Sequence, residues 1–261
     1  MDTAPMASSE LLALPRAAVL MLWAGAYLRG DAGPDDAAQH ALGAGKDHSG
    51  AEGVELFDWL TGLRRLPLVQ LRLVLPVPGR IAGLVGPPTA VQAALAAEQA
   101  LVVTAAGIPD HTLVPEDTPV SSLQGPIALV DWMQYPAPLG ANLAPASSSG
   151  TAREQLLRVM QRVADSSQDL DLVPDEPIPA RDLPSGWART MPPRHVTAAD
   201  AHLLTLAGRI LALSAQELRA GSPTARALAD DQARRRLLEE LRDAAREALV
   251  ETVQRAADPE G

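Results

Sequence analysis

Apolar residues crowd one stretch near the start of the chain, Ala17–Leu28 (AAVLMLWAGAYL). Pro15 suits the first turn of a helix and Gly30 its end, so the run predicts a buried helix. Pro34 opens a second, shorter helix through Leu42, closed by Gly43. In VELFDWLTGLRRL, Val54, Phe57, Leu60 and Leu63 recur at helical spacing, and Pro67 stops them. The period then changes. In LVQLRLVL, Val69, Leu71, Leu73 and Leu75 alternate with Leu68, Gln70, Arg72 and Val74. That alternation predicts a strand whose second face is partly polar and half-exposed. A helix from Thr89 to about Gln99 follows, then strands at ALVVTA, HTLV and PIALVDWMQ, the last ended by Pro136 and Pro138.

After ANLAPASSSG the pattern turns helical. Thr151–Val163 is amphipathic and begins with a capping box of Thr151 and Glu154. A long proline-rich connector, DLDLVPDEPIPARDLPSGWARTMPPR, leads to a helix capped by Thr197, with Asp200 in the box position, that runs to about Arg219 and is closed by Gly221. Ser222-Pro223 opens a last helix to about Ala257. Its Leu238, Leu241, Ala245, Ala248 and Thr252 form a stripe expected to face a partner. The pattern predicts an α+β protein: a small sheet with N-terminal helices, then a helical layer of about three helices. Residues 1–146 form the mixed region and 147–261 the helical region packed on it, or the two make one domain. A weak echo also appears. LPVP at Leu75 recurs as YPAP at Tyr135, and LVPED at Leu113 as LVPDE at Leu172, which suggests either a duplication or a coincidence of prolines.

Composition narrows the chemistry. The 261 residues are 47% hydrophobic but only 3% aromatic, so the core must be built from Leu, Val and Ala. Lys46 is the only lysine; the bias to Arg, Ala, Pro and Gly suggests a GC-rich genome. With no cysteine, disulfides, thiolate ligands and a cysteine nucleophile are excluded, and a reducing cytoplasm fits. The formal net charge of −10 argues against nucleic acid and anionic membranes as partners. The Ala17–Leu28 run is shorter than the roughly 20 residues a bilayer needs. The preceding MDTAPMASSE lacks the positive start of a secretory signal. A cytoplasmic protein is expected.

Several motifs come close to known chemistry and then depart from it. RLVLPVPGRIAGLVGPPTAVQAAL runs strand, glycine loop, helix, the order that cradles phosphates. Gly79, Gly83 and Gly86 are spaced too widely for a dinucleotide fingerprint, and Pro87 and Pro88 remove donors where a phosphate needs them. HALGAGKD matches a P-loop only at Gly45-Lys46, with His40 and Asp47 in the wrong places. His195, Asp200 and His202 lack metal-ligand spacing once Asp200 serves as a cap, and Asp36, His40, Asp47 and His48 read as local bonding. Asp169, Asp171, Asp175 and Glu176 read as a solvated linker, since Val173 and Pro174 break an EF-hand. Ser149 in ASSSG is no nucleophile elbow. Arg234–Arg236, with Arg242 and Arg246 among acids, reads as a solvated helix face. No catalytic residue, metal or cofactor is called for.

At LRLVLPVPGRIAGL, Leu71–Leu84, and again at LPSGWARTMPPR, Leu183–Arg194, the chain resembles a group of uncharacterised proteins from GC-rich bacteria. The group has no assigned activity, so the resemblance implies no functional residue. The sequence therefore supports two expectations. The first is a non-catalytic, regulatory or self-associating protein that docks a protein partner or a second copy through Leu238, Leu241 and Ala245. The second is an enzyme or small-ligand binder whose site lies at the loops after Leu75 and Tyr135, with Arg72, Arg80, Asp131 and Trp132 as its residues.

Overall fold

The computed structural model describes residues 11–48, 53–122, 125–138, 150–169, 183–220 and 228–258. Its chain begins with a strand the sequence pattern did not announce, β1 (Leu12–Pro15), which feeds directly into α1 (Arg16–Arg29). Helix α1 is buried almost all round, from Arg16 through Tyr27, as an apolar run with no polar stripe requires. Gly30 ends it in the left-handed conformation at φ 89°. Helix α2 (Pro34–Leu42) keeps the bounds its proline and glycine set.

Short strands β2 (Lys46–Asp47) and β3 (Gly53–Val54) precede α3 (Leu56–Leu63). Here the expected face holds at Leu60 and Leu63 but not at Val54 and Phe57. Val54 belongs to β3, Phe57 is 42% exposed, and the buried row is Leu56, Leu60 and Leu63. That row has the i, i+4, i+7 spacing of a helix starting at Leu56.

The main sheet contains β4 (Gln70–Val74), β5 (Ala100–Thr104), β6 (His111–Ser122) and β7 (Gly125–Pro136). Its order is β2-β7-β6-β5-β4, with β3 also paired to β7. The β4-β5, β5-β6 and β6-β7 pairs are antiparallel. Strand β6 runs far beyond HTLV: it pairs with β7 from His111↔Pro136 to Ser122↔Gly125, but with β5 only from His111 to Leu113. One face presents Leu71, Leu73, Leu101, Val103, Leu113 and Trp132 to the main core. The other face is half-exposed on β4, where Gln70 is exposed and Arg72 half-buried, but is covered elsewhere. Val74 and Val102 pack on Val85 of the glycine loop. Ala100 and Val114 pack on Ala94 of α4 (Pro88–Ala97).

The three-helix layer comprises α5 (Ala152–Asp169), α6 (Ala198–Ala220) and α7 (Leu228–Ala257). Thr197 caps α6 as its sequence predicts: its hydroxyl accepts from the Asp200 N–H and donates to the Asp200 carboxylate. The end of α7 lies so close to α1 that a Cβ on Gly25 would sit 2.7 Å from the Ala257 carbonyl oxygen. The connector from Asp169 to Arg194 hides a strand, β8 (Trp187–Thr190), which pairs antiparallel with β1. The acidic stretch Asp171–Glu176, which includes the second half of the LVPED echo, lies outside the described residues, as do Ser149, Gly221 and Ser222-Pro223. One buried cluster extends from Leu12 to Ala257. Among the described residues no helix is long and apolar enough to cross a membrane.

Burial lowers the proton affinity of three imidazoles, His111, His40 and His195. His111 is enclosed by β6, with Nδ1 toward the Pro109 carbonyl and Nε2 toward the Trp59 indole N–H. His40 stacks on Trp23 with ring centroids 3.8 Å apart. A folded-state value below the ordinary value of about 6.5 means that the unfolded chain binds more protons there. Stability present above that pH is lost as pH falls through it. Burial raises the Asp47 carboxyl, which acts with the opposite sign but in the lower carboxylate range. Urea unfolding midpoints should therefore fall between pH 7.5 and 5.5. Equal midpoints would refute the assignment.

Candidate functional site

The four residues expected to form a ligand site do not meet. Arg72 lies on edge strand β4 and Asp131 on β7, with β5 and β6 between them, about 14 Å across the sheet at ordinary strand spacing, and the register sets Arg72 level with Tyr135, four residues along β7 from Asp131. Trp132 faces the main core and is fully buried. Arg80 reaches away from the sheet to Asp243 and Glu247 of α7. Asp131 holds His48, with Nδ1 at 2.9 Å, and so ties the chain after β2 to β7.

The glycine loop answers its own question. Val77 and Arg80 exchange backbone hydrogen bonds across a tight turn with Gly79 at φ 82°. The buried Thr112 hydroxyl accepts from the Val85 N–H and donates to its carbonyl at 2.5 Å. The loop is fastened to the sheet through donors a phosphate would need.

The described cavity lies elsewhere, beside Leu75. It is a cleft of about 550 Å³ that opens where β4 and β5 stop while β6 continues. The end of α4, the middle of β6, the Pro184–Trp187 segment, α6 and α7 surround it. Leu75 lines it; Tyr135 does not.

Its floor is a polar lock. Arg16 Nε donates to Asp117 at 3.1 Å, and the Arg16 guanidinium also reaches the Ala41 and Leu42 carbonyls. Gly186 N–H donates to the other Asp117 oxygen at 3.0 Å. Gln99 accepts from Ala17 N–H and donates to the Gly186 carbonyl at 2.7 Å. Gly186 has φ 77°, and a Cβ there would meet Gln99 Nε2 at 2.6 Å, so no other residue fits without movement.

Its rim is charged. Arg242 donates to Glu98 at 2.6 Å, and Arg246 to Asp243 at 2.7 Å. The Arg246 side chain is only 11% exposed, which corrects the expectation of a solvated face at this residue, while Arg235, Arg236 and Glu239 are exposed as expected. Burial holds its guanidinium below the ordinary value, and the positive Arg242 and Arg80 act in the same direction. Arg219 lines the cleft with no hydrogen-bond or ion-pair partner among the described residues. These arginines escape a sequence search because each looks like one more surface charge. The i, i+4 spacing of Arg242 and Arg246 is the one signal that they share a face.

The stripe expected to face a partner is covered within the chain. Ala245, Ala248 and Thr252 are buried, Leu241 packs against the main core, and Leu238 is partly buried. Helix α7 lays this stripe against α6, α5 and α1.

The family model for the Rv1486c-like protein, N-terminal domain, matches residues 17–148. No curated protein and no solved structure matches the chain. The matched segment contains Glu98, Gln99 and Asp117, whereas the cleft's arginines lie beyond it.

Proposed function

The chain belongs to the Rv1486c-like protein family, and on that footing we propose that it acts without catalysis, by holding a small molecule in the cleft between α4, β6, α6 and α7. The observation that carries this reading is Arg219, a cation without a described partner on the wall of a cleft of ligand size. The floor supports it, because every charge there is already paired and rigid. No histidine lines the cleft, and its apolar wall of Pro15, Leu75, Ala93, Leu211 and Ala215 suits the body of an organic ligand. The last helix offers less for docking, since the chain's own core covers Ala245, Ala248 and Thr252 of that stripe. A ligand here would bridge the family's N-terminal domain to α6 and α7, which suits a regulatory role. The cysteine-free sequence keeps a reducing cytoplasm as the proposed compartment, and the Arg-, Ala- and Pro-rich composition keeps a GC-rich origin in the same proposal.

Native mass spectrometry of the chain purified from its own host tests the reading. A small molecule should accompany the wild-type chain, leave on denaturation, and be lost from Ala96→Trp, which puts bulk at an exposed cleft position. An equally loaded Ala96→Trp chain would place the ligand elsewhere.

A further inference from the structure

We propose that the ligand is a phosphorylated small molecule, whose phosphoryl group displaces Glu98 from Arg242 and is met by Arg242 and Arg219. This rests on the small-molecule reading of the cleft and names the class of molecule.

Three features converge on it. The first is the concentration of like charge. Arg219, Arg242 and Arg246 line one cleft, and Arg80 shares Asp243 with Arg246. Guanidinium groups fork onto carboxylate and phosphate alike, but a phosphoryl group brings about −1.5 to −2 charges and three acceptor oxygens to a cluster of cations.

The second is Glu98 itself. It ends α4 in the left-handed conformation, φ 55°, where glycine is the relaxed choice and a side chain is strained. The strained residue sets a carboxylate 2.6 Å from Arg242, as an anion built into the site. Its side chain is 64% exposed, and an ion pair so open to water contributes little. A dianion can therefore take its place at small loss.

The third is the arrangement of the remaining walls. Glu116 is exposed on β6 with no described hydrogen-bond or ion-pair partner, placed to accept from a hydroxyl or amine of the ligand. A long polyanion is disfavoured by the chain's net charge of −10, whereas a small anion needs only the local cluster.

Isothermal titration of the full chain with inorganic pyrophosphate, beside succinate as a carboxylate control, tests the proposal. Wild type should bind pyrophosphate at one saturable site. Arg219→Gln and Arg242→Gln should each weaken it about tenfold or more, as loss of a charge-assisted bond implies. Glu98→Gln should tighten it several-fold by removing the internal competitor. Arg219 is exposed, so its variant keeps the test sound even if Arg242→Gln fails to fold. Absence of saturable binding in both wild type and Glu98→Gln would overturn the proposal, as would one affinity shared by all variants. Succinate binding without pyrophosphate binding, or a co-purified cleft ligand that carries no phosphate, would overturn the phosphoryl assignment and leave the small-molecule site standing.

Discussion

Replacing Asp117 by alanine should destabilise the protein by about 3–5 kcal/mol, the cost of stranding a buried charge. The side chains of Arg16 and Asp117 are only 5% and 12% exposed. Asp117 also accepts the Gly186 N–H, so its loss frees that donor together with Arg16 Nε and Nη2. Arg16 cannot swing out to water, because it is buried at the start of α1 and its guanidinium reaches the last carbonyls of α2. Asp117→Asn should lose less, since it keeps an acceptor but not the charge. Arg16→Met combined with Asp117→Ala should recover part of the loss, the remainder being the α2 carbonyls left without Arg16. Urea unfolding at pH 7.5 reads all three. A loss below about 1 kcal/mol for Asp117→Ala would mean that water reaches Arg16 and that the lock is an ordinary surface pair.

That lock also marks where a linear sequence stops being informative. Helices α1 and α2 were legible because proline and glycine punctuate them locally. Strands β4, β5 and β7 were legible because alternation needs only neighbours. Strand β8 was not, since WART is four residues long amid prolines and its partner β1 lies at the other end of the chain. Phe57 misled because the helix begins at Leu56, which is buried and leaves the aromatic turned outward. The α7 stripe was visible, but amphipathicity does not say whether the same chain or another one covers it. The site was the least legible part. Arg16 and Asp117 stand 101 residues apart, and neither stands out alone. The glycine loop, the most motif-like segment, is structural, while the cleft draws on residues from α4, β6, α6 and α7 that no single window contains.

Trp132 provides the second large effect and separates core from site. It is fully buried on β7, opposite Val54 of β3 on one side and Pro115 of β6 on the other. Trp132→Ala should cost about 3–5 kcal/mol through lost burial and the cavity left behind. Its indole N–H is buried with no hydrogen-bond partner among the described residues. Trp132→Phe removes that unpaired donor, worth about 1–3 kcal/mol, while opening a smaller void. These two effects oppose each other, so Trp132→Phe should stay much closer to wild type than Trp132→Ala in urea unfolding. Both variants test whether the residue packs or binds. A packing tryptophan predicts that Trp132→Phe, once folded, keeps both the co-purifying molecule and the pyrophosphate affinity. A Trp132→Phe chain that folds stably yet has lost its ligand would return this residue to the binding site, where the sequence alone had placed it.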